Sequence, residues 1–318
     1  MFDFDKRIEL PDKENDVLAV GELLVDMISV DYDGDFTGKT FNKFFGGAPS
    51  NIAMNITKLG GHSIVASAVG QDGLGRYLIN HLKEAGMDAS YIQEVDCATS
   101  MVLVTKSKRS PSPIFYRDAD MYLSYTPELE QALMASNIMH FSCWPISRVP
   151  VRKTIEKLID LARKERKLIC FDPNYHPMIW NKGEDGVAYI KSLIEKVDII
   201  KPSEDDAERL FGKDTYDNHI AHFLRLGAKL VIMTLGKDGA IVSNGKETIT
   251  LKSLATDVID TTGAGDAFWS GFYTAIVKGY TIREALNLGS AVSAYKLKHE
   301  GAVVELPKLP VIKQVYGI

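Results

Sequence analysis

Segments typical of β-strands and α-helices alternate along most of this chain of 318 residues, and this alternation limits the fold more than any other feature. After Pro127, short apolar runs at 138–142, 168–172 and 229–235 are separated by segments whose apolar residues recur at helical spacing. Strands that alternate with helices form mostly parallel sheets covered by helices on both faces. The sequence therefore predicts a three-layer α/β/α body.

Two stretches depart from this alternation, because strand-like segments follow one another there without a helix between them. They are residues 24–45 and 98–122, and each contains a turn-rich or Ser/Pro-rich interruption. We interpret the two stretches together as a small β-sheet lid. The predicted body then comprises residues 1–23, 46–97 and 123–318.

Composition bears on the compartment and on the partners. The formal net charge is −5 and no long Lys/Arg run occurs, so nucleic acid and anionic membranes are poor partners. Three widely spaced cysteines (Cys97, Cys143 and Cys170) argue against a disulfide framework or a zinc site. Residues 1–16 are polar and too charged for a signal peptide, and no apolar run approaches membrane-spanning length. We expect a cytoplasmic protein with a loosely held N-terminal tail.

One corner of the chain, Gly263-Ala264-Gly265-Asp266, has the residues of an anion site with a base beside it. The two glycines lack a Cβ, so their backbone can approach a ligand closely. The free N–H groups of the apolar helix predicted to start there favour an anion. Asp266 would then take the proton from a hydroxyl that attacks a phosphoryl group held at this corner. Taken alone, the same four residues also suit an ordinary helix start, so the rest of the chain has to decide.

Polar clusters follow three predicted strands at their carboxyl ends, which is where open sheets of this kind bind ligands. Together with the Gly263 corner they predict a nucleotide cleft along one edge of the sheet. Neither a GxxxxGKS/T loop nor a GxGxxG loop after the first strand is present, so the two commonest nucleotide signatures are absent. The clusters contain Asp172 and Asn174, then Lys201 and Ser203, then Thr234, Gly236 and Gly239.

A second glycine-rich cluster, Gly46-Gly47, leads into a predicted helix that contains Asn51. The glycines permit close backbone approach, and an amide that both donates and accepts suits the vicinal hydroxyls of a sugar. Asp26 lies in an otherwise apolar strand, where an acid is usually paired or functional. A glycine-rich turn with Asn51 on a helix surface would explain the same residues, so this cluster alone leaves both interpretations open.

Four motifs, taken together and in order, resemble the ribokinase-like (PfkB) carbohydrate kinases. They are GGAPSNIA with LGG after it, GQDGLG at 70–75, TLGKDGA and DTTGAGDAF, and the resemblance covers about residues 21–301. It implies a ribokinase-like α/β body with a β-sheet lid. It also implies transfer of the γ-phosphate of ATP to a sugar hydroxyl, with Mg²⁺ as a cofactor.

The resemblance further implies roles for individual residues. Asp266 would be the base, and the backbone of Gly263, Ala264 and Gly265 would be the anion hole. The sugar would be held by Asp26, Gly46, Gly47, Asn51, Arg117, Asp172 and Asn174. The nucleotide site would be lined by Lys201, Ser203, Thr234, Gly236, Gly239 and Asn287. Asp260 and Thr262 match positions that form a monovalent-cation site, commonly for K⁺, in many members.

Two positions depart from the family pattern. The family usually has Asn-x-x-Glu where this chain has Ser203 to Asp206, so the carboxylate expected to act on magnesium through water is kept as Asp206 but shortened. Members that act on fructose or ketodeoxygluconate often have Arg where this chain has His176. A neutral His is a poorer clamp for a carboxylate than Arg, which favours a neutral sugar over an acidic one.

We therefore predict an ATP-dependent sugar kinase with fructose as the first choice of acceptor. The rival is 2-keto-3-deoxygluconate or a related deoxygluconate. Phosphorylated sugars are disfavoured because residues 30–45 hold two lysines against three aspartates. The intact GAGD argues against a catalytically silent sugar- or nucleotide-binding regulator, and the missing glycine fingerprint against a Rossmann dehydrogenase. Exposed strand edges of the lid would allow a lid-to-lid homodimer.

Overall fold

Two β-sheets organise the protein. The computed structural model describes residues 2–32, 36–106 and 113–318. Within these residues the strands are β1 (Asn15–Val20), β2 (Leu24–Tyr32), β3 (Phe41–Gly46), β4 (Ser63–Gly70), β5 (Ile92–Val95), β6 (Met101–Lys106), β7 (Ile114–Tyr116), β8 (Ser136–Ser142), β9 (Leu168–Asp172), β10 (Ile199–Ile200), β11 (Leu230–Thr234), β12 (Ala240–Ser243) and β13 (Thr248–Leu251).

The helices cover the larger sheet. They are α1 (Ala48–Leu59), α2 (Gly73–Glu84), α3 (Pro127–Met134), α4 (Cys143–Ile146), α5 (Val151–Lys164), α6 (Gly186–Leu193), α7 (Glu204–Phe211), α8 (Tyr216–Arg225), α9 (Ala264–Val277), α10 (Ile282–Lys296) and α11 (Leu309–Tyr316). Across the described ranges, every helix is too short or too polar to pass through a membrane.

The larger sheet has nine strands in the order β13-β12-β11-β10-β9-β8-β1-β4-β5, and only the pairs that involve β12 are antiparallel. Its central strands are buried on both faces, which explains why they are apolar without alternation. One face packs against α3, α5, α6, α7 and α8, and the other against α1, α9, α10 and α11. The predicted three-layer α/β/α body is confirmed.

The smaller sheet has the order β3-β2-β6-β7. The two outer pairs are antiparallel, whereas β2 and β6 are parallel, so the sheet is mixed. Asp26 lies on the central strand β2, opposite Phe44 on one side and Val102 on the other. That this sheet is a lid with the predicted boundaries stays a prediction. Two of the three aspartates counted in residues 30–45, Asp33 and Asp35, lie outside the described residues.

The N-terminal tail differs from the prediction, because it is packed against the body. Phe4 is fully buried. The carbonyl oxygens of Phe4 and Lys6 accept hydrogen bonds from the N–H groups of Arg283 and Ile282 at 2.8 and 3.0 Å. These are first-turn N–H groups of α10, which have no acceptor within their own helix. The tail thus completes the start of α10, a role that its polar composition hid.

Candidate active site

Asp266 and Asn51 are brought together from the first turns of α9 and α1. The Asn51 Nδ2 donates to the Asp266 Oδ2 at 2.9 Å. The two helices are tied to each other next to this pair, where the Ser270 hydroxyl donates to the carbonyl of Ile52 at 3.3 Å. Asn51 is buried, and its Oδ1 has no hydrogen-bond partner among the described residues. This acceptor is therefore available to a hydroxyl that approaches Asp266.

The double-glycine turn packs against Glu22 and Asp26. A Cβ on Gly46 would overlap the carboxylate of Asp26, and a Cβ on Gly47 would overlap the backbone oxygen of Glu22. Gly47 also has a φ of 105°, which side chains with a Cβ rarely adopt. Position 47 therefore requires glycine, whereas a larger residue at position 46 would displace the side chain of Asp26, because the backbone of Gly46 lies directly against that carboxylate.

Three carboxyl groups at this site have raised pKa values, each mainly because of burial. Burial raises the pKa of Asp266 to about 6, although the hydrogen bond from Asn51 acts in the opposite direction. Burial, together with the charge of Asp266, raises the pKa of Asp26 to about 7. Burial raises the pKa of Glu22 to about 8. A pKa near 6 leaves Asp266 ionised at neutral pH and makes it a stronger base than an ordinary aspartate.

The residues before Asp266 form a nest of backbone N–H groups. Gly263, in the left-handed conformation with φ 73°, begins α9. The N–H of Ala264 donates to the carbonyl of Thr261, whereas the N–H groups of Gly265 and Asp266 have no backbone partner in the described residues. Unpaired N–H groups at a helix start attract an anion. The predicted anion hole thus has two free donors beside the carboxylate of Asp266.

Lys201 lies at the rim of this nest. A Cβ on Gly265 would be 3.3 Å from the Lys201 Nζ. The same Nζ is 2.9 Å from the Asp172 Oδ2, which also accepts from the indole N–H of Trp269 at 2.8 Å. The Lys201 and Asp172 side chains are only 5% and 11% exposed. Asp172, predicted to bind sugar, has one carboxylate oxygen committed to holding Lys201 beside the anion hole.

Asp206 is turned toward its own helix. Its Oδ2 accepts from both the N–H and the hydroxyl of Ser203, at 2.9 and 2.7 Å, and its Oδ1 accepts from the N–H of Tyr175 at 2.7 Å. These contacts make a capping box at the start of α7. Both oxygens of Asp206 thus accept hydrogen bonds from the protein itself, and a role toward magnesium through water stays a prediction. No group of three or more His, Cys, Asp or Glu residues that could hold a metal ion occurs in the described part of the chain.

A cavity of about 420 Å³ extends from the anion hole along the edge of the sheet. Thr234, Gly236, Gly239 and Gly265 are among the residues that line it. Asn287 is not among its lining residues, although Ser290 and Ser293 of the same helix are. The prediction for Asn287 therefore has no support from the cavity. Mostly apolar side chains form the rest of the wall: Leu254, Ala255, Val258, Phe268 and Leu297.

Arg117 is held inside the protein. Its guanidinium donates to the Asp120 Oδ2 at 2.6 and 3.1 Å and to the Ser147 hydroxyl at 2.6 Å. It also lies over the ring of Trp144, 4.4 Å from the ring centroid. Asp120 neutralises the charge of Arg117. Since Arg117 directly follows β7, its contacts with Ser147 and Trp144 connect the small sheet to the body. Asn174, by contrast, is exposed, with a φ of 36°, and makes no side-chain hydrogen bond within the described residues.

Comparison with known proteins decides the family. The pfkB family carbohydrate kinase profile matches residues 14–309. The chain belongs to this family. It is therefore a phosphotransferase that uses an alcohol group as acceptor, which confirms the sugar kinase predicted from the sequence.

This pfkB kinase is similar to curated and solved relatives over most of its length. It is 60% identical to the "ATP-dependent 6-phosphofructokinase" of Thermoanaerobacterium thermosaccharolyticum, over 100% of this chain and 99% of the relative. The fructokinase structure from Halothermothrix orenii has 39% identity and a TM-score of 0.78, over 86% of this chain and 97% of that chain. The ATP-bound fructokinase structure from Xylella fastidiosa has 21% identity and a TM-score of 0.85, over 95% and 99% of the two chains, and shows the fold.

Sequence reasoning missed two charged residues of this kinase that lie beside the site. Glu22 is buried, its Oε1 accepts from the N–H of Ala48 at 3.1 Å, and its Oε2 has no partner among the described residues. The argument applied to Asp26, an acid in an apolar segment, could have found it. Lys296 is fully buried at the end of α10. It lies four residues after the buried Val292, and this helical spacing on an apolar face was the available signal.

Proposed function

We propose that this kinase transfers the γ-phosphate of ATP to a hydroxyl of fructose 6-phosphate. The observation that carries the proposal is the 60% identity to a protein named ATP-dependent 6-phosphofructokinase, because it extends over the whole chain. This choice departs from the free sugar favoured by the charge count of residues 30–45. That count rested on three aspartates, and an identity of this extent outweighs it.

The pair of Asp266 and Asn51 supports a direct transfer mechanism. The sugar would lie on the Gly46-Gly47 turn between Asp26 and Asn51, and Asp266 would accept the proton of the attacking hydroxyl. The hydroxyl oxygen then bonds to the γ-phosphorus while the bond to the departing oxygen of ADP breaks. The free N–H groups of Gly265 and Asp266 stabilise the charge on the transferred group.

The nucleotide would occupy the cavity that Gly265 helps to line. Its apolar walls suit a purine ring, and the Thr234–Gly239 segment would contact the phosphates. Lys201, held by Asp172, would contribute a positive charge at the γ-phosphate. Magnesium would enter with ATP, and Asp206 would act on it through water. Closure of the small sheet would exclude water from the reacting groups. A homodimer through that sheet stays a prediction that sedimentation velocity can test.

We infer that Arg148 is a candidate to hold the 6-phosphate. It follows Ser147, which accepts from Arg117, and it is half-buried. Its only hydrogen bond found in the described residues is a 3.4 Å contact to the carbonyl of Ser147. Burial, and then the neighbouring charge of Arg117, lower its pKa. Among the described residues its guanidinium makes no hydrogen bond to a carboxylate, and a desolvated guanidinium of this kind is suited to a phosphate.

Free fructose is the second candidate, because the Halothermothrix orenii structure at 39% identity is named a fructokinase. ADP release should be measured with fructose 6-phosphate, fructose, 2-keto-3-deoxygluconate, ribose and a nucleoside. The proposal requires fructose 6-phosphate to have the highest kcat/KM of the panel. A higher kcat/KM for free fructose would replace it with the fructokinase assignment. ADP release that none of the sugars accelerates would contradict the whole proposal.

Substitution of Arg148 separates the two candidates. We expect Arg148→Ala to lower kcat/KM for fructose 6-phosphate by roughly 10- to 200-fold, the effect of losing a charge-assisted contact worth about 1.5–3 kcal/mol. Its kcat/KM for free fructose should change by less than about threefold. Lys153→Ala, which removes an exposed cation five residues later, is the matched control and should affect neither sugar. Equal losses with both sugars would mean that Arg148 does not read the 6-phosphate.

The raised pKa of Asp266 predicts the pH dependence of turnover. The base works only when ionised, so kcat should fall as the pH decreases through about 6. With an ordinary aspartate the fall would begin near pH 4. The profile should be measured at saturating ATP and sugar, and repeated with free fructose because a sugar phosphate itself titrates near pH 6. An unchanged kcat down to pH 5 with both sugars would contradict the assignment of Asp266.

A further inference from the structure

A fully buried ammonium group lies under the loop that leads into the anion hole. Lys296, the last residue of α10, has no exposed surface. Its Nζ donates to the backbone oxygen of Asp260 at 2.7 Å and lies 3.8 Å from the Asp260 Oδ2. Burial lowers the pKa of Lys296, whereas the charges of Asp260 and Asp266 raise it. A buried ammonium is costly unless it is paired, so its position next to two acids indicates a specific role.

Lys296 contacts Asp260, one of the two residues predicted to form a monovalent-cation site with Thr262. The Asp260 Oδ1 accepts from the N–H and hydroxyl of Thr262 at 2.9 and 2.8 Å, and the Oδ2 accepts from the N–H of Gly301 at 2.7 Å. The backbone oxygen accepts from Lys296. Every oxygen of Asp260 is thus engaged, and a positive charge is already present. The residues do not fit a bound K⁺ ion, because that ion would meet the ammonium at the same oxygen.

The loop held by Lys296 is continuous with the anion hole. The N–H of Ile259 donates to the carbonyl of Leu297 at 2.8 Å, so the loop is also fixed to the end of α10. The hydroxyl of Ser293 in α10 donates to the carbonyl of Ala264 at 3.0 Å, inside the GAGD corner. Because Lys296 is sealed from solvent, it does not touch the phosphate, and it acts there through this loop and through its charge. It is a positioning residue.

We propose that the Lys296 ammonium is a built-in monovalent cation, which orders the loop at Asp260 and supplies positive charge beneath the anion hole. The kinase therefore works at full rate without K⁺. A fixed charge aimed at the transferred group needs no reorganisation during the reaction. The inference concerns phosphoryl transfer itself and does not depend on which sugar is the acceptor.

The first test uses the unmodified enzyme. ADP release, with the sugar that gives the highest rate in the panel, should be equal within about twofold in potassium, sodium and choline chloride at one ionic strength. The melting temperature should also be the same in the three salts, because K⁺ has no site to stabilise. This second readout requires no substrate. Severalfold activation, or stabilisation that is specific to K⁺, would overturn the proposal.

The second test removes the ammonium in two ways. In Lys296→Ala the space and the acceptors of Asp260 become free, so we expect kcat in choline to fall by roughly 10- to 100-fold and K⁺ or NH₄⁺ to restore much of it. In Lys296→Met the volume stays filled, so a similar loss should resist rescue. Lys298→Ala, on the same helix end, is the control and should behave as the unmodified enzyme.

The proposal of a built-in cation is supported if K⁺ or NH₄⁺ restores the activity of Lys296→Ala but not that of Lys296→Met. A loss in both variants that no cation restores would reduce Lys296 to a structural residue and overturn the proposal. Full activity of Lys296→Met in choline would also overturn the proposal. If the alanine variant fails to fold, its melting curve shows this at once. The salt comparison on the unmodified enzyme and the Lys296→Met variant then decide the matter.

Discussion

Asp266→Asn is expected to lower kcat by roughly 10²- to 10⁴-fold, the range for a lost general base. The substitution keeps the size of the side chain and leaves Asn51 with a polar partner. In the unmodified protein the Asn51 Nδ2 donates to the Asp266 Oδ2 at 2.9 Å. The substitution removes the carboxylate that lies beside the free N–H groups of α9 and accepts from Asn51. The sugar can still bind, but its hydroxyl has no acceptor for the proton.

Folding and binding should survive this change. Because burial raises the pKa of Asp266, its charge is disfavoured in the folded protein, so a neutral Asn should not lower the melting temperature. ATP binding, measured by calorimetry, should stay within about threefold of the original. Asp257→Asn, which changes an exposed acid in the preceding loop, is the control. A kcat for Asp266→Asn within about fivefold of the original would remove Asp266 from the role of base.

Lys201→Met is expected to lower the free energy of unfolding by about 3–5 kcal/mol. The change keeps the volume of the side chain but leaves Asp172 without its cation, with only the Trp269 indole still donating to it. Since both side chains are almost inaccessible to water, solvent cannot replace the lost partner. Urea unfolding measures the effect, and turnover should fall as well because the charge next to Gly265 is removed.

Two further variants show whether the cost comes from the unpaired acid. Asp172→Asn combined with Lys201→Met should recover at least half of the lost free energy, since neither partner is then a buried charge. Lys229→Met is the matched control. It breaks a 2.6 Å ion pair with Asp198 in which Lys229 is 61% exposed. Such a pair contributes about 0–1 kcal/mol, so the control should be nearly neutral. Equal effects of Lys201→Met and Lys229→Met would contradict the interpretation.

The fold was predictable because its signals are local. Strands such as β8 and β9 are buried on both faces and therefore apolar throughout, and α1 ends at Gly60 in the left-handed conformation. Elements with weaker patterns were missed. β5 has four residues of mixed burial at the edge of the sheet, and α11 has eight residues with a proline in its first turn. Pattern rules detect an element by its buried stripe, so short edge elements escape them.

The site was predictable where backbone geometry demands a residue type. Gly46, Gly47 and Gly263 are such positions, because a Cβ at each would overlap its neighbours. Partner choice was less predictable. Two of the pairings are local, because Ser203 and Asp206 have the spacing of a capping box and Arg117 and Asp120 are also three residues apart. The contact between Asn51 and Asp266, which are 215 residues apart, depends instead on the packing of α1 against α9, which spacing along the chain does not encode.

The attachment of the first residues to α10 has a practical consequence. Cleavage after Lys6 or Arg7 would detach Phe4 from the interior and deprive the N–H groups of Ile282 and Arg283 of their acceptors. The far end of the same helix carries Lys296, next to Asp260. Shortened versions of the enzyme should therefore begin before Phe4, since a segment that composition marks as dispensable belongs to the folded unit.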